Sequence, residues 1–236
     1  MAVKYGYGEG AEVTAREATV LGRLPDREVV AGRSGQGSWY LTPWLPGPST
    51  WQLFEPVRRG AGGRTEAVGA AVGLSRAVTR LHAEGWAHGD LQPSHGIHTP
   101  VGVELIDFAW SWHESMEPLE KFNGGITHLL APELAAWIDR GPQPAVPGAA
   151  SDVYALAGVL WTCATGRWPL DYAAAGLPPD IGPAARRIAI ASRTIPLSSE
   201  GPWPALRDIL EPVLLAEPED RPTAHELGDA LAALGT

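Results

Sequence analysis

Two carboxylates stand where side chains with different chemistry crowd together. Asp90 lies in His88-Gly89-Asp90-Leu91-Gln92-Pro93-Ser94-His95, and Asp107 in Leu105-Ile106-Asp107-Phe108-Ala109. Carboxylates in such settings suit two tasks, taking a proton from a hydroxyl and holding a divalent cation. Simpler readings stand beside these: Asp90 as the head of an Asx-turn after His88, and Asp107 as the end of a strand. His88, His95 and His98 raise the question of zinc, but no cysteine lies nearby and their spacing matches no ordinary zinc pattern. Lysine occurs only at Lys4 and Lys121, so each is conspicuous.

These residues need elements to carry them. Residues 1–45 read as a small mixed α/β unit. It has a short apolar start at Ala2-Val3, a flexible Gly-rich link over 5–10, one helix, and strand-like runs at 28–31 and 39–41. The helix reads as capped by a Thr14/Glu17 box, with Val20, Leu21 and Leu24 on one face and Pro25 as its stop. A Pro/Gly-rich crossing follows at 43–48. From Thr65 the residues Ala67, Ala71, Leu74, Val78 and Leu81 form one helical stripe that ends at Gly85. The run 103–108 predicts a strand. Residues 152–165, opened by Ser151 and closed by Gly166, are apolar nearly all round and predict a helix at the centre of a domain. The last helix carries a Thr223/Glu226 box and buries Leu227, Leu231 and Leu234. The Pro/Gly-rich pieces at 141–148 and 176–183 read as loops between helices.

At 236 residues the chain suits one large domain or two lobes sharing a cleft. A formal net charge of −9 argues against nucleic acid and anionic membranes as partners. The single cysteine, Cys163, sits in an apolar stretch and reads as a small buried side chain in a reducing compartment. The sequence shows neither a membrane-length apolar run nor a secretory signal pattern. The expectation is a cytoplasmic protein.

His88 to His95, then Asp107-Phe108-Ala109, then Ala131-Pro132-Glu133 match in order the motifs H-R-D-L-x-x-x-N, D-F-G and A-P-E. On these motifs the chain resembles the catalytic domain of eukaryotic-type protein kinases. The resemblance implies an α+β, two-lobed fold with a reduced N-terminal β lobe over 1–45 and a large helical lobe over 46–236. It implies ATP and Mg²⁺ (or Mn²⁺), and a peptide or protein substrate phosphorylated on Ser or Thr. Asp90 becomes the base and Asp107 the metal ligand. Ala2-Val3-Lys4 resembles the strand whose lysine contacts the α- and β-phosphates, and Glu17 the helix glutamate that pairs with it. The bland alternative is a solvated Lys4 and a Glu17 that only closes its capping box. Thr42 falls at the gatekeeper position, and Leu45 where the backbone bonds the base. Ser151-Asp152-Val153-Tyr154 resembles the start of the family's central helix. Glu133 and Arg221 would form a buried ion pair, and Trp110 and Trp112 would fix the segment after Asp107 or meet a substrate.

Four features differ from the family's pattern. No Gly-rich hairpin precedes Lys4; the Gly6-x-Gly8-x-Gly10 string follows it instead. His95 replaces the second metal-holding Asn and prefers softer metals than magnesium. Ala109 replaces a Gly, which restricts the backbone. Gln92 stands where a lysine meets the transferred phosphate, and Gly89 where an arginine receives a phosphorylated loop. The first of these differences suggests a partner protein that completes the cleft. Two alternatives follow: a pseudokinase that keeps the fold as a scaffold, and, from His-Gly-Asp, a small-molecule phosphotransferase of the aminoglycoside type.

Overall fold

The computed structural model describes residues 1–119, 122 and 124–235; Lys121 lies outside them. The chain opens with β1 (Ala2–Tyr7), α1 (Glu9–Leu21), β2 (Val30–Ser34) and β3 (Gly37–Thr42). The strands form an antiparallel sheet in the order β1-β3-β2, with Lys4 opposite Tyr40.

The helix starts earlier than its sequence suggests. Its N-cap is Gly8, at φ 59°, and Glu9 and Glu12 occupy the first turn, where acidic side chains suit the helix dipole. Thr14 and Glu17 are both buried, a full turn or more inside the helix, so the expected capping box does not form. The Gly-rich stretch is not a flexible link either. A β-carbon on Gly6 would fall 2.1 Å from the Gly10 carbonyl and 2.2 Å from Thr14 Oγ1. The glycines therefore let β1 and α1 meet backbone to backbone.

Beyond the crossing come α2 (Thr50–Leu53), α3 (Glu55–Arg58) and α4 (Arg64–Ala83). Ser49 and Gln52 form a capping box on α2. Ala67, Ala71, Leu74, Val78 and Leu81 of α4 are all buried, as the stripe requires. A hairpin of β4 (Gly96–Thr99) and β5 (Gly102–Leu105) follows. Strand pairing stops at Leu105, short of the expected 108, because the backbone turns at Asp107, which adopts φ 65°.

The remaining helices are α5 (Pro132–Arg140), α6 (Ala149–Thr165), α7 (Pro183–Ala191), α8 (Pro204–Leu215) and α9 (Ala224–Ala232). Tyr154, Leu156, Leu160 and Trp161 of α6 are fully buried, and Gly166 ends the helix at φ 75°. Against α6 pack α8 and the short α3; α9 lies along α4. The Thr223/Glu226 box opens α9 as expected. Cys163 is buried and free, and burial pushes its thiol up to about 12, so it stays protonated and inert. No helix among the described residues is long and apolar enough to cross a membrane.

Candidate active site

Lys4 points off β1 toward α1. Its Nζ lies 2.6 Å from Glu17 Oε2 and 3.1 Å from Asp107 Oδ1. Burial alone would lower the Lys4 pKa. The hydrogen bond and charge of Glu17, followed by the charge and hydrogen bond of Asp107, outweigh it and hold the ammonium above its ordinary value. Glu17 is 1% exposed and fully engaged, since its Oε1 accepts the backbone N–H of Phe108 at 3.0 Å. Tyr40 on β3 also bonds Glu17; burial and the Glu17 charge push its hydroxyl well up. The lysine, the glutamate and the Asp107 loop thus form one network across three elements.

Side chains that the sequence did not flag hold α1 in place. Arg16 donates to the carbonyls of Ser111 (3.1 Å) and Glu117 (2.9 Å), and Arg23 to that of Ser115 (3.2 Å). They stand seven apart, Arg16 within α1 and Arg23 in the turn just after it, and that spacing is the only signal the sequence offers for them. Trp112 exchanges backbone hydrogen bonds with Ala87, and Trp110 packs edge-on against Phe122. Trp110 thus helps hold the segment after Asp107 through its ring, and Trp112 through its backbone.

Asp152, in the first turn of α6, holds the Asp90 loop from below. The N–H groups of His88 and Gly89 donate to its two oxygens at 2.6 and 2.9 Å, and His82 Nε2 lies 3.0 Å away. His88 is wholly buried, and burial pulls its pKa down to about 4, so the ring is neutral. Its Nε2 donates to the Ile106 carbonyl and its Nδ1 accepts the Asp90 N–H. The ring is therefore a strut between the two carboxylate-bearing loops.

Asp90 itself is 8% exposed. Gln92 Nε2 donates to its Oδ1 at 2.8 Å, and the Ile126 N–H also bonds the carboxylate. Burial nevertheless raises its pKa to about 6, the Asp107 charge adding to the rise while Gln92, His95 and Ile126 oppose it. Gly125 closes over it: a β-carbon there would lie 1.4 Å from Asp90 Oδ1. We expect Gly125→Ala to lift residues 124–126, destabilise the fold by about 1–3 kcal/mol and return the Asp90 pKa toward its ordinary value. An NMR titration of the carboxyl reads this; an unmoved pKa would show that Gly125 does not control the access of water.

A cavity of about 430 Å³ opens beside this network, lined by Glu17, Tyr40, Thr42, Leu45, Arg27, Thr99 to Val101 and Asp107 among others. Lys4, Asp90 and His95 are not part of its lining. His95 Nε2 stands 3.8 Å from Asp107 Oδ2, the carboxylate oxygen that Lys4 does not bond. Among the described residues no group of three or more His, Cys, Asp or Glu side chains converges on a point. Farther off, Arg221 makes a two-pronged bond to Glu133 at 2.6 and 2.8 Å. Only its arginine side is buried: Arg221 is 0% exposed and Glu133 31%, because Glu133 begins α5 at the surface. The pair is thus half-buried rather than buried.

The mixed α+β architecture is compatible with a kinase-like domain, and the curated relatives support one. The probable serine/threonine-protein kinase PkwA of Thermomonospora curvata is 28% identical over 198 residues, 84% of this chain and 24% of the relative. The serine/threonine-protein kinase AfsK of Streptomyces griseus is 32% identical over 134 residues, 56% of this chain and 16% of the relative. Its namesake from Streptomyces coelicolor matches to the same extent. The chain thus spans a quarter or less of the length of these relatives. No family model matches it.

Proposed function

We propose that this chain is an ATP-dependent phosphotransferase of the protein-kinase type, acting on Ser or Thr of a peptide or protein. The observation that carries the reading is the Lys4–Glu17–Asp107 network at the edge of the cavity. On this reading residues 1–45 form a reduced nucleotide-binding lobe and 46–236 the helical lobe. Adenine lies between Thr42 and the Leu45 backbone, and Lys4 binds the phosphates. Asp107, with His95 at its flank, would hold Mg²⁺ or Mn²⁺, which when bound neutralises charge on the phosphates. The donor set fits an ion shared with phosphate oxygens and water, since few protein ligands are at hand. Asp90 takes the hydroxyl proton, and its pKa near 6 suits a base at neutral pH. Glu133, Asp152 and Arg221 hold the scaffold. A cytoplasmic setting, and no role for nucleic acid or membrane, complete the proposal.

One observation favours a second reading, a pseudokinase that binds partners without transfer. Gln92 and Gly125 occupy the approach to Asp90.

Calorimetric titration of ATP with Mg²⁺, then with Mn²⁺, tests the nucleotide site. Metal-dependent binding is expected in the wild type and lost in Asp107→Asn. Binding that survives Asp107→Asn unchanged would remove the metal role of Asp107, and absence of binding with either metal would move the chain to the scaffold reading.

A further inference from the structure

A second cavity, of about 410 Å³, opens beside Phe108. Its volume falls in the range of small-molecule sites. The floor is apolar and buried: Leu24, Ala77, Leu81, Val103, Leu105 and Phe108 line it and are at most 8% exposed. The rim is charged and exposed, with Asp26 from the turn after α1, and Arg80 and Glu84 from the end of α4. Arg27 and Glu104 stand in the wall that it shares with the first cavity.

These charges divide into matched and unmatched. Arg27 is matched: its Nη2 lies 2.9 Å from Glu104 Oε2 and donates to the Leu105 carbonyl at 3.1 Å. Arg80 Nη2 donates to the Val103 carbonyl at 2.8 Å, but no carboxylate among the described residues pairs with this arginine. Burial lowers the Arg27 pKa; Glu104 opposes the drop and the charge of Arg80 adds to it, so the cation on Arg80 is felt inside the cavity wall. Asp26 and Glu84 likewise make no ion pair among the described residues, although Glu84 stands four residues after Arg80 at the C-cap of α4. An apolar floor under a rim with one open cation and two open anions fits a molecule with an apolar body and a head of both signs.

We infer that this cavity binds an apolar α-amino acid, its carboxylate on Arg80, its ammonium toward Asp26 and Glu84, and its side chain on the floor made by Phe108, Leu81 and Val103. Burial of that side chain supplies most of the affinity, because ion pairs at an exposed rim each add little. An occupant rests on Phe108, whose N–H is held by Glu17, so the site touches the Lys4–Glu17–Asp107 network from a second side. It needs no nucleotide, and it stands or falls apart from the proposed phosphotransfer.

The probes are L-phenylalanine, phenylpropionate, which lacks the amine, and phenethylamine, which lacks the carboxylate. Each is titrated into the full chain and into Arg80→Met and followed by NMR. We expect L-phenylalanine to bind with a Kd of about 1 mM or tighter, and each truncated probe to bind about three- to fivefold more weakly. Intermolecular NOEs should run from its ring to the methyl groups of Leu81 and Val103. Arg80→Met should weaken L-phenylalanine and phenylpropionate by the same factor and leave phenethylamine unchanged, a pattern that damage to the fold would not give. No saturation by L-phenylalanine at about 10 mM, NOEs to other residues, or equal binding of the three probes overturns the inference. So does an Arg80→Met variant that binds all three as the wild type does, or loses all three alike.

Discussion

Replacing Asp90 by Asn is expected to lower phosphotransfer turnover by roughly 10²- to 10⁴-fold, the usual contribution of a positioned base. Nucleotide affinity should stay close to wild type, because Asp90 lies outside the cavity lining. The same substitution should not weaken the fold. In the folded protein the carboxyl has a pKa near 6, above its ordinary value, with burial the main cause. The ionised form therefore costs stability at neutral pH, a cost relieved as pH falls through about 6, and Asn avoids it altogether. Asn also keeps an oxygen that can accept the Ile126 N–H. Loss of turnover with stability held or gained separates a chemical role from a structural one. In the wild type the base must be ionised, so turnover should fall about tenfold per pH unit below pH 6. An Asp90→Asn enzyme with full turnover, or a rate that rises on acidification, would remove Asp90 from the chemistry.

The second large effect is on the scaffold. Asp152→Ala strips the acceptor from two backbone N–H groups and from His82, all in a buried place. Hydrogen bonds to a charged group contribute about 1.5–3 kcal/mol each and leave costly orphans when broken, so a total loss of about 3–5 kcal/mol is expected. For a chain of this size that is about 10 °C in melting temperature. Asp152→Asn keeps one acceptor and should lose less. Urea denaturation of both variants reads the difference, and a loss below about 1 kcal/mol for Asp152→Ala would mean that the 88–90 loop is held by other means.

The long helices were legible because burial imposes a period on the sequence. The stripe of α4, the all-round apolar α6 and the capped α9 stand close to where their patterns put them. The four-residue helices α2 and α3 are too short to show a period. The four-residue β4 is too short to show an alternation, and pairing with β5 defines it. The start of α1 was misread because a Thr-x-x-Glu pattern in the middle of a helix looks the same as one at its cap. What separates them is the close contact of Gly6 with Gly10, a property of space and not of order.

The candidate site divides along similar lines. Lys4, Glu17 and Asp107 carry charges whose types announce their use, and the structure places the two carboxylates 2.6 and 3.1 Å from the Lys4 ammonium. Gly125 matters for the atom it lacks. Arg16 and Arg23 matter for the carbonyls they reach. Neither kind of contact leaves a trace in the side-chain types of the partner residue.

Arg16 of α1 and Arg23 just beyond its end grip only main-chain oxygens in residues 111–117. Every amino acid offers the same carbonyl, so this anchorage reads the path of the chain and is indifferent to its spelling. The surface of that segment is accordingly free to be rewritten, for a new substrate or a new partner, while α1 and its glutamate stay in place. The constraint is lodged in Arg16 and Arg23, and the latitude in the residues they hold.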